Sequence, residues 1–171
     1  MKIAVMGYSG SGKSTLARAL GDYYGVPVLH LDRVQFLPGW KTREQEEKLR
    51  IVQAFMDDNE GWIIDGNYTR LLHERRLEEA DVLVLMLFNR FSSLCRVIGR
   101  YRRFRGRRRP DMADGCAEKL DGEFIRWVLW KGRGKTQRRH FAGIERKYPE
   151  KCVILRNQRQ LDAYIKKERE S

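Results

Sequence analysis

Apolar residues along this chain fall either in short unbroken runs or in longer stretches where they recur every three or four positions. The runs lie at residues 3–6, 28–31 (interrupted by His30), 62–64, 82–88 and 152–155. Runs of this length without polar alternation read as strands covered on both faces. Helical patterns fill the intervals. One follows the first run and extends to about residue 23, with Gly25 and Pro27 as stop signals. A second places Leu49, Val52 and Met56 at helical spacing, with Thr42 and Gln45 read as a capping box at its start. A short polar helix is expected over 71–79 and an arginine-rich helix beyond Asn89. After a Gly- and Pro-marked break at 106–110, helices are expected over about 116–130, 135–147 and 160–167. Strands alternating with helices predict an α/β fold, a parallel five-stranded sheet flanked by helices in three layers. The chain is expected to form one domain over residues 1–171, with a helical lid inserted at about 90–147.

The junction after the first run carries specific chemistry. Gly7-Tyr8-Ser9-Gly10-Ser11-Gly12-Lys13-Ser14-Thr15 has the spacing of a nucleotide-binding P-loop, with a strand before it and a helix after it. Glycines let backbone N–H groups turn inward around phosphate oxygens, and the helix start aims its positive dipole end at the same anion. Gly7, Ser9, Gly10, Ser11, Gly12, Lys13, Ser14 and Thr15 are therefore the expected phosphate cradle for ATP. Lys13 is placed to reach the β- and γ-phosphates, and the Ser14 hydroxyl to ligate Mg²⁺.

Charge changes the picture only locally. The net charge is +12, but residues 90–147 hold 18 of the 35 Lys/Arg and 6 of the 23 Asp/Glu, which leaves the rest of the chain neutral. Such confinement favours a local anion-handling device over a generally basic surface. The three cysteines, at 95, 116 and 152, form neither a zinc pattern nor a disulfide framework. No apolar run is long enough to span a membrane and no secretory segment is evident, so a cytoplasmic location is the expectation.

Two carboxylates stand at the ends of apolar runs, where ligands of open α/β sheets gather. Asp65 follows the third run and is expected to hold the waters of Mg²⁺; its alternative is a turn aspartate beside Gly66. Asp32 follows the second run and is a candidate to orient an acceptor hydroxyl or take its proton, or else a simple cap. His30 alternates with Asp32, would share its strand face, and is read as a packed histidine. In the basic segment Arg100, Arg102, Arg103, Arg105, Arg107, Arg108 and Arg109 fall within ten residues. Arg96 and Arg100, four apart on a helix, are the pair expected to share a phosphate-facing stripe. Phe36, Trp40 and Tyr68 are candidates to flank an acceptor, and Trp62, Trp127 and Trp130 read as core or lid packing.

These segments resemble the nucleoside-monophosphate-kinase-like P-loop kinases, of which adenylate kinase is a member. Residues 61–68 (Gly-Trp-Ile-Ile-Asp-Gly-Asn-Tyr) resemble that family's strand ending in Asp-Gly-Phe-Pro-Arg, and residues 96–100 (Arg-Val-Ile-Gly-Arg) its segment before a mobile lid. Together with Leu31-Asp32, Pro38-Gly39-Trp40 and the arginine-rich lid, they are similar to the bacterial topology modulation proteins over most of the chain. Where adenylate kinase has an arginine four residues after its aspartate, this chain has Thr69, with Arg70 next. The resemblance implies phosphoryl transfer from ATP with Mg²⁺ and suggests the base lies near Asn157, Gln158 and Arg159. The reading expected is an ATP-dependent kinase of a small molecule, nucleoside or nucleotide. The alternative is a nucleotide-regulated DNA-binding protein using the basic segment. The Asp32 and Asp65 pair favours the kinase.

Overall fold

The computed structural model describes residues 1–104 and 120–170. Arg105, Arg107, Arg108 and Arg109, the expected break at 106–110 and the expected helix start near 116 lie outside the described residues.

The chain runs β1 (Lys2–Gly7), α1 (Lys13–Tyr24), β2 (Val28–His30), α2 (Leu31–Gln35), β3 (Phe36–Leu37), β4 (Lys41–Thr42), α3 (Gln45–Asp57), β5 (Trp62–Asp65), α4 (His73–Glu79) and β6 (Val82–Met86). It continues with α5 (Arg90–Phe104), α6 (Gly122–Leu129), α7 (Lys135–Lys147), β7 (Cys152–Leu155) and α8 (Gln158–Glu170). Five strands pair in parallel in the order β2-β5-β1-β6-β7.

The unbroken apolar runs are explained by two cores, one on each face of this sheet. Ala4, Met6, Ile64, Leu83 and Leu85 pack on one side with Val52 and Met56 of α3, Leu77 of α4, and Phe141 and Ile144 of α7. The alternate residues Ile3, Val5, Ile63, Val84 and Met86 pack on the other with Leu16 and Leu20 of α1 and Leu161 of α8. Period-two alternation thus feeds both faces, as a covered parallel strand requires. Each of these Val, Leu, Ile, Met and Phe side chains contributes about 1.5–3 kcal/mol by leaving water. The result is the three-layer α/β arrangement expected from the sequence. No helix among the described residues is long and apolar enough to cross a membrane.

Two local expectations fail for tertiary reasons. Thr42 does not cap α3. It pairs with Phe36 across the β3–β4 hairpin, while Glu44 occupies the cap position with no side-chain cap bond. The segment turns back at Pro38-Gly39, with Gly39 at φ 75°, and Phe36 and Trp40 meet edge-on across that turn, 5.2 Å between ring centroids. Gln45 turns its amide to the Arg70 carbonyl instead. The second run also stops earlier than expected. β2 ends at His30 and the chain turns at once into one turn of helix, so His30 and Asp32 do not share a strand face.

Candidate active site

β1 is central, and the chain leaves it for β2 on one side and later adds β6 on the other. The carboxyl ends of such strands frame the crevice where open α/β sheets bind ligands. The loop after β1 lies there. Gly7, Gly10 and Gly12 all have φ between 78° and 141°. A Cβ would stand 2.2 Å from the Met86 carbonyl oxygen at Gly7 and 2.7 Å from an Arg96 guanidinium nitrogen at Gly12. Glycine is required at Gly7 by conformation and by space, and at Gly12 by conformation, since the Arg96 side chain could shift. α1 then begins at Lys13 and ends at Gly25 in the left-handed conformation, as its sequence signals.

Side chains lock this loop to its neighbours. Asn67 brackets Gly7, accepting from its N–H at 3.0 Å and donating to its carbonyl at 2.7 Å. Arg96 donates to the Ser11 carbonyl at 3.0 Å, stacks on the Phe88 ring at 4.5 Å, and bonds Gln158. Burial lowers the Arg96 pKa from its usual value. Lys13 donates to the Tyr8 carbonyl at 3.1 Å, folding its ammonium back over the loop. Trp127 donates its indole N–H to Ser9 Oγ at 3.2 Å.

A cleft of about 1570 Å³ runs from this loop along the carboxyl edge of the sheet. It is lined by Ser9, Gly10, Gly12, Lys13, Ser14 and Thr15, by Asp32 and Asp65, and by Arg96, Arg100 and Arg103. The described candidates from the sequence are thereby brought together, except that Gly7 and Ser11 lie buried behind the loop. Arg100 sits with its guanidinium 5.9 Å from the Phe124 ring centroid. Phe36, Trp40 and Tyr68 line the cleft as well. Trp62 is core and Trp127 packs on the loop, whereas Trp130 is 58% exposed and belongs to neither. Asn157 accepts from the Gln160 N–H and so caps α8, while Gln158 is engaged by Arg96.

The two carboxylates differ in environment. Asp65 is buried at the end of β5, and its Oδ2 lies 3.0 Å from His30 Nδ1. Asp65 Oδ1 has no hydrogen-bond partner among the described residues. Asp32 accepts a 2.6 Å bond from the Tyr68 hydroxyl, and burial, with the Asp32 charge next, drives the Tyr68 pKa far up. Tyr68 therefore stays a neutral donor that aims the Asp32 carboxylate.

Several contacts that hold the loops of the cleft were not visible in the sequence. Arg76 is 1% exposed and donates to the carbonyls of Leu71, Tyr68 and Gly66, tying down the loop that carries Asn67 and Tyr68. Burial lowers its pKa to about 10, so it remains charged at neutral pH. Arg133 stacks on Tyr8 at 4.2 Å and donates to Phe88, Val128 and Ser93, joining α5 and α6 to the loop. The DGNY pattern pointed to the Asn67 loop; nothing local marked Arg76 or Arg133.

The glycine cradle, the buried Ser11 Oγ without a partner among the described residues, and the open Asp65 Oδ1 fit a phosphate chain and a hydrated cation. Among the described residues no three His, Cys, Asp or Glu side chains converge as a metal cage.

Sheet order, flanking helices and glycine loop define a three-layer α/β P-loop fold. Solved structures sharing it include shikimate kinase from Acinetobacter baumannii in complex with shikimate, at 15% identity and TM-score 0.58, over 97% of this chain and 89% of that one. An uncharacterized protein from Eubacterium ventriosum shares it at 17% identity and TM-score 0.54, over 100% and 99% of the two chains. A putative kinase from Chloroflexus aurantiacus does so at 12% and 0.52, over 99% and 97%. No protein-family model matches the sequence, and no curated protein matches it. At these identities the likeness is one of fold.

Proposed function

We propose that this protein is a Mg²⁺-dependent phosphotransferase that moves the γ-phosphoryl group of ATP to a small acceptor, with nucleosides and nucleotides among the candidates. The observation that carries this reading is a single cleft lined by both the Lys13–Ser14 loop and the Tyr68-held Asp32 carboxylate. Mg-ATP supplies the transferable group and neutralises part of its charge when bound. The loop N–H groups and Lys13 would hold the phosphates, and Ser14 with the open oxygen of Asp65 would hold Mg²⁺ and its waters. Asp32, aimed by Tyr68, would orient the acceptor hydroxyl and take its proton. Arg96 and Arg100 would neutralise charge as the phosphoryl group passes, in a cleft that their helix lines. The bond formed is acceptor oxygen to phosphorus, and the bond broken is that to the ADP leaving oxygen.

The resemblance to topology modulation proteins belongs with this reading, as a cytoplasmic kinase of that group. That Arg96, Arg100 and Arg103 line the cleft supports the kinase over a DNA-binding role for the basic segment. Asp32→Asn separates the two halves of the proposal. ATP affinity should stay within about twofold while phosphotransfer falls by about 10²–10⁴-fold. Undiminished transfer in this variant would remove Asp32 from the chemistry.

A further inference from the structure

Lys48 has no role in the account so far, and its surroundings are unusual for a lysine. It lies on the second turn of α3, is 6% exposed, and lines the cleft. Its ammonium donates to Gln35 Oε1 at 3.2 Å, a neutral amide. The carboxylates beside it in sequence or on the same cleft meet other groups: Glu47 meets Arg43, Asp32 the Tyr68 hydroxyl, and Asp65, through Oδ2, His30. No carboxylate pairs with Lys48 among the described residues. A buried ammonium with one neutral acceptor recovers little of its lost hydration, whereas the buried Arg76 is satisfied by three carbonyls. Gln35 is three residues beyond Asp32 on α2, so the two side chains share one helix face. The amide that holds Lys48 therefore stands beside the carboxylate proposed to take the acceptor proton. Phe36 and Trp40 supply an aromatic wall on the same cleft, with Trp40 held at φ 65°, a conformation rare for a bulky residue.

We infer that Lys48 binds an anionic group of the phosphoryl acceptor, which is then a small hydroxyl compound bearing a carboxylate or a phosphate. The inference rests on reading this cleft as the kinase site. The acceptor's anion supplies the counter-charge that Lys48 lacks, its body packs on Phe36 and Trp40, and its hydroxyl meets Asp32. An uncharged acceptor would leave the ammonium buried without a counter-charge, so the site discriminates against it.

Calorimetric titration of matched probes tests this at saturating ADP: para-hydroxybenzoate against para-hydroxybenzamide, and adenosine monophosphate against adenosine. The charged member of at least one pair should bind ten-fold or more tightly than its neutral counterpart, and the pair that responds tells carboxylate from phosphate. Lys48→Met should erase the preference and Lys48→Arg should keep most of it, with thermal melts checking that each variant is folded. Lys48→Gln replaces the methionine variant if that one does not fold. Equal binding of charged and neutral probes, no binding of either charged probe, or a preference that survives loss of the ammonium overturns the inference. The ADP titration reads the glycine loop separately. Its failure would strike the kinase reading, while the benzoate pair would still report on Lys48.

Discussion

Lys13 and Asp32 stand on different elements and divide the proposed chemistry, so each can be removed alone. Lys13→Ala should weaken ATP binding at least ten-fold, because it deletes the loop's one side-chain cation for the phosphates while leaving its backbone in place. Tyr68→Phe is the more discriminating change. It removes a donor to a carboxylate, a bond worth about 1.5–3 kcal/mol, without altering the ring. Phosphotransfer should fall about ten-fold or more with ATP affinity unchanged, and a fall in ATP affinity of equal size would show that Tyr68 acts on the loop instead. The chemistry-bearing residue types were legible in the sequence because the P-loop is a local pattern. Their partners were not. Tyr68 meets Asp32 across 36 positions and His30 meets Asp65 across 35, and no spacing rule reports such contacts. Lys48 reads as an ordinary surface lysine until the fold buries it.

At the level of elements, the loop after β5 decides how well the two halves of the site are registered. Arg76 is its fastener. Arg76→Met would strand three carbonyl acceptors and should destabilise the protein in urea unfolding, by about 1–3 kcal/mol for each acceptor left buried without a donor. Arg76→Lys should recover little, since a single ammonium cannot span three acceptors held by a planar fork. Full stability in either variant would contradict the positioning role. The strands and most helices were legible for the reason that their apolar periodicity is intrinsic to a two-faced sheet. The β3–β4 hairpin was legible only as its turn-rich centre at Pro38-Gly39, where Gly39 takes φ 75°; its two-residue strands are too short to show a period, and their pairing turned an apparent capping box into a strand end. The short helix at Asp32 was hidden in the same way, since Leu31 continues an apolar run while the backbone has already turned.

Across the whole molecule, the sequence located the basic excess correctly in one segment, and the fold brings three of its arginines to the cleft. Stability should carry a pH signature from the histidines of α4 and α7. His73 is packed against Arg76 and His140, with Glu74 and Lys147 beside it; burial, then Arg76 and His140, lowers its pKa to about 4, and burial lowers that of His140 too. A histidine depressed in the folded state binds its proton more readily when unfolded. Its stabilising contribution is therefore complete above about pH 6.5 and is lost as pH falls toward about 4. Urea midpoints should drop across that window, and His73→Gln should flatten the slope by up to one proton. An unchanged slope in the variant would assign the acid sensitivity to other groups.

The central claim is transfer of phosphate from ATP by this cleft, and it is tested most directly by incubating the protein with γ-labelled ATP and Mg²⁺ against nucleosides, nucleotides, hydroxy acids, sugars and short DNA. The account predicts label on a small hydroxyl acceptor, lost in Lys13→Ala and in Asp32→Asn. Transfer that persists in Lys13→Ala, or label on no acceptor at all, would contradict it.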